Sequence, residues 1–216
     1  MIRILWSLRG FAKLRRNDGT LAGDEALHKP CQKKTLPKFF CTFANAKKTI
    51  IMDNTLDIEA LKKFVAARWQ LDDLHGMPHW QRVERNGELL ATPDCDLTVI
   101  RCFAYLHDSC RRDNGVDREH GPRAAAFIET LRDSYLKGLT DQQFTLLKEA
   151  IEKHTSHHKT GIPTIDACFD ADRLDLIRVW IWPNPQKMAS EKGKQFATNF
   201  KEYMKTSGND YSFLRL

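Results

Sequence analysis

Residues 92–108 read TPDCDLTVIRCFAYLHD. Thr92-Pro93 is a capping residue followed by proline, a pair that opens helices because proline lacks only an N–H that the first turn leaves unpaired. Beyond it Ile100, Phe103 and His107 recur at helical spacing on one face, and Asp108 follows directly. The stretch predicts a helix to about Asp108 whose apolar stripe ends in an ionisable pair.

Working outward, the same period recurs. Asp53-Asn54-Thr55 offers caps for a helix through Leu61, Phe64, Val65, Arg68 and Trp69, and a second helix runs from about Pro78 to Leu90. Further helices are expected from Glu119 to Leu136, from Thr140-Asp141 through Ile151, and from a Thr164 cap through Val179, stopped by Pro183 and Pro185. A last amphipathic helix spans Gln186 to Met204. No long stretch alternates with period two. The expected fold is an all-α, compact helical bundle over residues 52–216, without internal repeat.

Composition narrows the class. The chain has 216 residues, 42% of them hydrophobic, with 11 Gly and 8 Pro, which excludes a mainly disordered or collagen-like protein. No apolar run reaches the ~20 residues a bilayer crossing needs. Of the 34 basic and 28 acidic residues, 11 and 3 lie in residues 1–51, so the net charge of +6 belongs to that segment and the remainder is close to balanced. No specific nucleic-acid binding is expected of the body. Residues 1–51 read as an irregular, poorly ordered basic extension; a presequence, a membrane-surface helix and an overlong translation start at a chain properly beginning at Met52 are the alternatives. The six cysteines form no C-x-x-C pair, which points to reduced thiols and a cytoplasmic protein.

Polar residues stand where apolar ones belong. His79 shares a face with Val83 and Leu90, His154 ends the stripe of Phe144, Leu147 and Ile151, and Asp172 lies within that of Ile165, Phe169, Leu176 and Val179. Each alone reads as a hydrogen-bonded core residue. Four helices each placing an ionisable group on a core face suggests convergence, because such a group is costly unless paired or metal-bound. Together they are an N/O donor set suited to Mn²⁺, Fe²⁺, Co²⁺, Ni²⁺ or Zn²⁺, without the thiolates of a structural zinc site.

At these residues the sequence resembles the HD-domain metal-dependent phosphohydrolases. His79 within HGMPHWQRVERNG, His107-Asp108 within YLHDS and Asp172 within DADRLD match the H…HD…D signature, supported by REHGPRAAAFI at His120 and AIEKHTSHH at His154. The resemblance covers roughly residues 55–185 and is similar in particular to small bacterial HD proteins. It implies a helical bundle, His79, His107, Asp108 and Asp172 as metal ligands, and His120 and His154 as donors to a second ion bridged by Asp108, or else as a substrate contact and a ligand-orienting group.

The activity so implied is hydrolysis of a phosphate ester or anhydride of a nucleotide or related small phosphorylated metabolite. Arg82, Arg111, Arg112, Arg123 and Arg173 are candidate phosphate contacts by proximity to the signature, and Asp113 or Glu119 a candidate general base beside Asp108. A di-iron HD-fold oxygenase and a non-catalytic HD ligand-binding module are the alternatives. No P-loop and no G-x-S-x-G are present. The oligomeric state is not legible.

Overall fold

The computed structural model describes residues 55–214, so the reading of residues 1–51 as an extension lies outside the described residues. Every regular element among the described residues is helical, eight α-helices with short 3-10 turns and no strand, and they form a compact bundle. None of these helices is long and apolar enough to cross a membrane.

The centre is α3 (Leu97–Leu106), the helix of the stretch quoted above. Val99, Ile100, Cys102, Phe103, Ala104, Tyr105 and Leu106 are all buried, so it is apolar nearly all round, as a central helix must be. Each large side chain among them contributes about 1.5–3 kcal/mol by leaving water. Around it pack α1 (Ile58–Arg68), α2 (Met77–Leu90), α5 (Asp141–Lys153) and α6 (Pro163–Leu174), while α4 (His120–Glu129) lies on α5. Two glycines permit close approaches between the helices that build the site. A Cβ on Gly87 of α2 would stand 2.4 Å from Ile100 Cγ2, and one on Gly121 of α4 would stand 2.8 Å from Ile151 O and 3.3 Å from the His154 ring. The second contact is what brings His120 up to His154.

Several predicted boundaries are corrected. Asp57, not the 53–55 run, caps α1, its Oδ1 accepting from Ala60 N at 2.9 Å. Asp96, not Thr92, caps α3, accepting from Thr98 N and Val99 N. The α4 helix ends at Glu129 rather than Leu136; Thr130 turns its hydroxyl back onto Phe127 O, and irregular turns follow. Thr140 caps α5 as expected, with a reciprocal bond from Gln143. Thr164 lies inside α6, where Pro163 takes the first turn; its hydroxyl accepts instead from Asp96 N, tying α6 to the start of α3.

The α6 helix stops at Leu174, and residues Asp175–Val179 tighten into a 3-10 turn closed by Trp180 in the left-handed region (φ 62°). The single helix predicted over 186–204 is broken into α7 (Glu191–Thr198), capped by Ser190, and α8 (Phe200–Thr206), because Asn199 leaves the helical region.

Candidate metal centre

The inward ends of α2, α3, α4, α5 and α6 carry ionisable groups to one place. His79 sits in the first turn of α2, His107 and Asp108 where α3 ends, His120 at the first position of α4, His154 at the end of α5 and Asp172 in the last turn of α6. All but Asp172 are buried below one tenth exposure, and the Asp172 side chain is 18% exposed.

The tautomers follow from the partners. His79 Nδ1–H donates to Asp175 Oδ2 at 2.7 Å. His107 Nδ1–H donates to Phe103 O and Ala104 O, both at 3.1 Å. Each ring therefore turns Nε2 inward, and the two Nε2 atoms stand 3.1 Å apart. Neutral rings would oppose their lone pairs there. Asp108 Oδ2 lies 3.5 and 3.7 Å from these nitrogens, and Asp172 Oδ1 lies 3.5 and 3.8 Å from them.

Two buried side-chain polar atoms among the described residues lack a hydrogen-bond partner: Trp80 Nε1 in the core and Asp172 Oδ1 here. A proton shared by the imidazoles would relieve their mutual contact and still leave Asp172 Oδ1 orphaned. A divalent cation would satisfy two nitrogens and two oxygens together, so this donor set fits one. The donor atoms of His79, His107 and Asp172 all lie within 4.8 Å of one another, as do those of His107, Asp108 and His154. These buried His/Asp groups could hold a metal ion.

A second imidazole pair adjoins the first. His120 Nδ1–H donates to Asp117 O at 2.5 Å, His154 Nδ1–H donates to Ile151 O at 2.7 Å, and the two Nε2 atoms meet at 2.8 Å. Asp108 Oδ1 is 3.0 Å from His120 Nε2 and 4.0 Å from that of His154. Asp108 thus offers one oxygen to each pair.

The electrostatics separate the groups. Burial pushes His107 down to about 3, against the pull of Asp108 and Asp172, and burial likewise lowers His154. Both are neutral donors. Burial also works against a charge on His120, but its hydrogen bond to Asp108 and the charge of that carboxylate outweigh it, and the ring is raised above its ordinary value. Asp172, pushed up by burial, is carried below the usual carboxylate range chiefly by Arg178. Asp108 is lowered too: the surrounding rings, His107 first, overcome its burial.

The candidate phosphate contacts fall into different places. Arg82 forks onto Asp175 (Nε–Oδ1 2.6 Å, Nη2–Oδ2 3.0 Å), bracing the carboxylate that orients His79. Arg123 braces the loop through Cys110 O and Asp117. Arg173 donates to His157 O and His158 O. Arg112 is exposed, and its backbone N–H donates to Asp117 Oδ2. Arg111 is the candidate that reaches the centre, with Nη1 3.5 Å from Asp108 Oδ1. Asp113 is exposed and holds a turn by accepting from Gly115 N at 2.7 Å. Glu119, the other candidate base, is exposed before α4.

Three participants escaped the sequence reading. Asp175 and Arg178 sit on the 3-10 turn, and His75, in the loop before α2, places Nδ1 3.1 Å from Asp108 Oδ2. DADRLD contained Asp175, three residues after Asp172, as a usable signal; His75 and Arg178 lay on no apolar stripe. The chain matches no protein-family model, no curated protein and no solved structure.

Proposed function

We propose that this chain is a metal-dependent phosphohydrolase of the HD type, acting on a phosphate ester or anhydride of a nucleotide or another small phosphorylated metabolite. The observation that carries the reading is Asp108 standing between two imidazole pairs whose Nε2 atoms face each other at 3.1 and 2.8 Å, beside an orphaned Asp172 oxygen. His79, His107, Asp108 and Asp172 would hold one divalent ion; His120, His154 and the other oxygen of Asp108 would hold a second. When bound, such ions polarise a phosphoryl oxygen and lower the pKa of water, making hydroxide available near neutrality.

The chain's own groups do the positioning. Asp175 and the α3 carbonyls fix the His79 and His107 rings with Nε2 inward. Arg111 brings a positive charge to the edge of Asp108, where charge would grow as water adds to phosphorus and the bond to the leaving oxygen breaks. That oxygen takes up a proton, which balances the hydrolysis.

The test is phosphate release from p-nitrophenyl phosphate and nucleoside monophosphates by the full chain stripped and reloaded with Mn²⁺. Metal-dependent release, lost in H107A and D108A, is expected; full metal loading with no release from any phosphate ester sinks the proposal. The imidazole-rich donor set also suits iron, so O₂ uptake by the iron-loaded protein, without phosphate release, would favour the di-iron oxygenase reading.

A further inference from the structure

Arg178 stands near Asp172 and Asp108 but is given no contact with substrate in the scheme above. Its side chain is 6% exposed, and two backbone carbonyls fix its plane: Nε donates to Leu74 O at 3.0 Å and Nη1 to Asp175 O at 3.1 Å. The outer edge is placed differently. Nη2 lies 3.3 Å from His75 Nδ1, which itself lies 3.1 Å from Asp108 Oδ2. A carboxylate only accepts, so the His75 hydrogen belongs on Nδ1, directed at Asp108; the other tautomer would set a lone pair against that oxygen. An N–H cannot accept from Arg178. The carboxylate oxygens nearby, on Asp172, Asp175 and Asp108, stand at 3.7, 3.9 and 4.0 Å, beyond hydrogen-bond reach. With the His75 hydrogen on Nδ1, this deeply buried guanidinium keeps Nη2–H unspent beside two candidate metal ligands.

Charge points the same way. Arg82 neutralises Asp175 through its fork. Asp108 and Asp172 together would be matched by a single divalent cation. Arg178 and Arg111 then remain as surplus positive charges, and charge in an interior calls for a counter-ion. A guanidinium with a free edge suits phosphate oxygens.

We infer that Arg178 is an anion-binding residue of this centre, and that its ligand is a terminal phosphoryl group carrying two negative charges, a phosphomonoester and not a diester. The anion site follows from Arg178 itself; the choice between esters rests on the phosphohydrolase reading.

The experiment compares the Mn²⁺-loaded full chain with R178M and R178K. It reads metal content, inorganic-phosphate affinity by calorimetry, and kcat/KM for p-nitrophenyl phosphate and bis-p-nitrophenyl phosphate. R178M should load metal as the parent does and bind phosphate about tenfold or more weakly, the loss of one charge-assisted hydrogen bond. Its kcat/KM should fall about a hundredfold for the monoester and far less for the diester. R178K, which keeps the charge beside Asp108 and Asp172 but not the fork, should load metal fully and still bind phosphate several-fold more weakly.

Unchanged phosphate affinity in R178M or R178K at full metal loading overturns the inference. Loss of metal in R178M also overturns it, because the residue would then be holding the ligands. Phosphate binding that depends on Arg178 in a protein that hydrolyses no ester supports the anion site and counts against the phosphohydrolase reading alone.

Discussion

The two imidazole pairs are built alike and are not equivalent. In both, Nδ1–H is spent on a fixed oxygen and Nε2 faces a second Nε2 at about hydrogen-bond distance. In the second pair one proton settles the contact: His120, raised by Asp108, can direct Nε2–H at that carboxylate and at His154. In the first pair a proton leaves Asp172 Oδ1 unpartnered, and burial keeps His107 neutral. The first pair could thus hold a multivalent cation and is poorly served by a proton, whereas the second could take either a proton or a metal. Similar donors give different sites because of what stands around them, a fourth ligand and, behind His79, the buried Asp175 in one case, backbone carbonyls alone behind both rings in the other.

The largest expected effect separates the pairs directly. On the phosphohydrolase proposal, H107A should abolish metal binding at the first site and lower kcat/KM by about a thousandfold or more, as expected if several kcal/mol of Lewis-acid stabilisation were lost. H154A should remove one ion of two and leave the first bound. Metal analysis beside turnover checks both. Equal metal loss in the two variants would show a single indivisible centre and end the distinction.

What could be read in advance, and what could not, follows the same division. His79, His107, His154 and Asp172 were legible because an ionisable residue on an apolar helical stripe contradicts the pattern around it. The course of α2, of α5 and of the body of α3 was legible for the complementary reason, an unbroken stripe, although of the three only the cap of α5, Thr140, was read correctly. Arg178 and His75 were not, because they lie on no apolar stripe, whereas Asp175, three residues after Asp172, carried a signal in DADRLD that the stripe argument passed over. Extending α6 to Val179 assigned 100° per residue to a segment that tightens to a 3-10 turn, and only that tightening delivers Asp175 to His79 and Arg178 to Asp108. Arg82 was found by proximity, but a neighbour in sequence need not point into the site, and its fork is taken by Asp175. The break at Asn199 had no breaker residue to announce it.

Metal removal gives the next effect in size. An ion bound to the folded state alone stabilises by about 2.7 kcal/mol at a hundredfold excess over Kd, worth roughly 5–10 °C in Tm for a chain of this length. Calorimetric scans of EDTA-stripped protein should therefore rise by that amount on adding Mn²⁺. H154A should keep most of the increase and H107A very little. An increase that H154A abolishes would assign the stabilising ion to the second pair and reverse the order of the two sites.

The smallest effect concerns the groups behind the ligands. His79 is oriented by a carboxylate that a substitution can alter, whereas His120 and His154 are oriented by carbonyls of Asp117 and Ile151 that no side-chain change removes. D175N keeps an oxygen able to accept from His79 Nδ1 but loses the charge that makes the ring a stronger donor to metal, and it frees half of the Arg82 fork. The expected cost is about 10–100-fold in affinity for the first ion. D117A removes the acceptor of Arg123 and of Arg112 N, loosening the loop before α4, yet leaves the carbonyl that holds His120. Its effect on the second ion should be no more than several-fold, since the orienting hydrogen bond survives. Metal titrations of the two variants measure the contrast. A D117A penalty as large as that of D175N would mean that the loop, not the carbonyl, seats His120, and the two pairs would then depend equally on the side chains behind them.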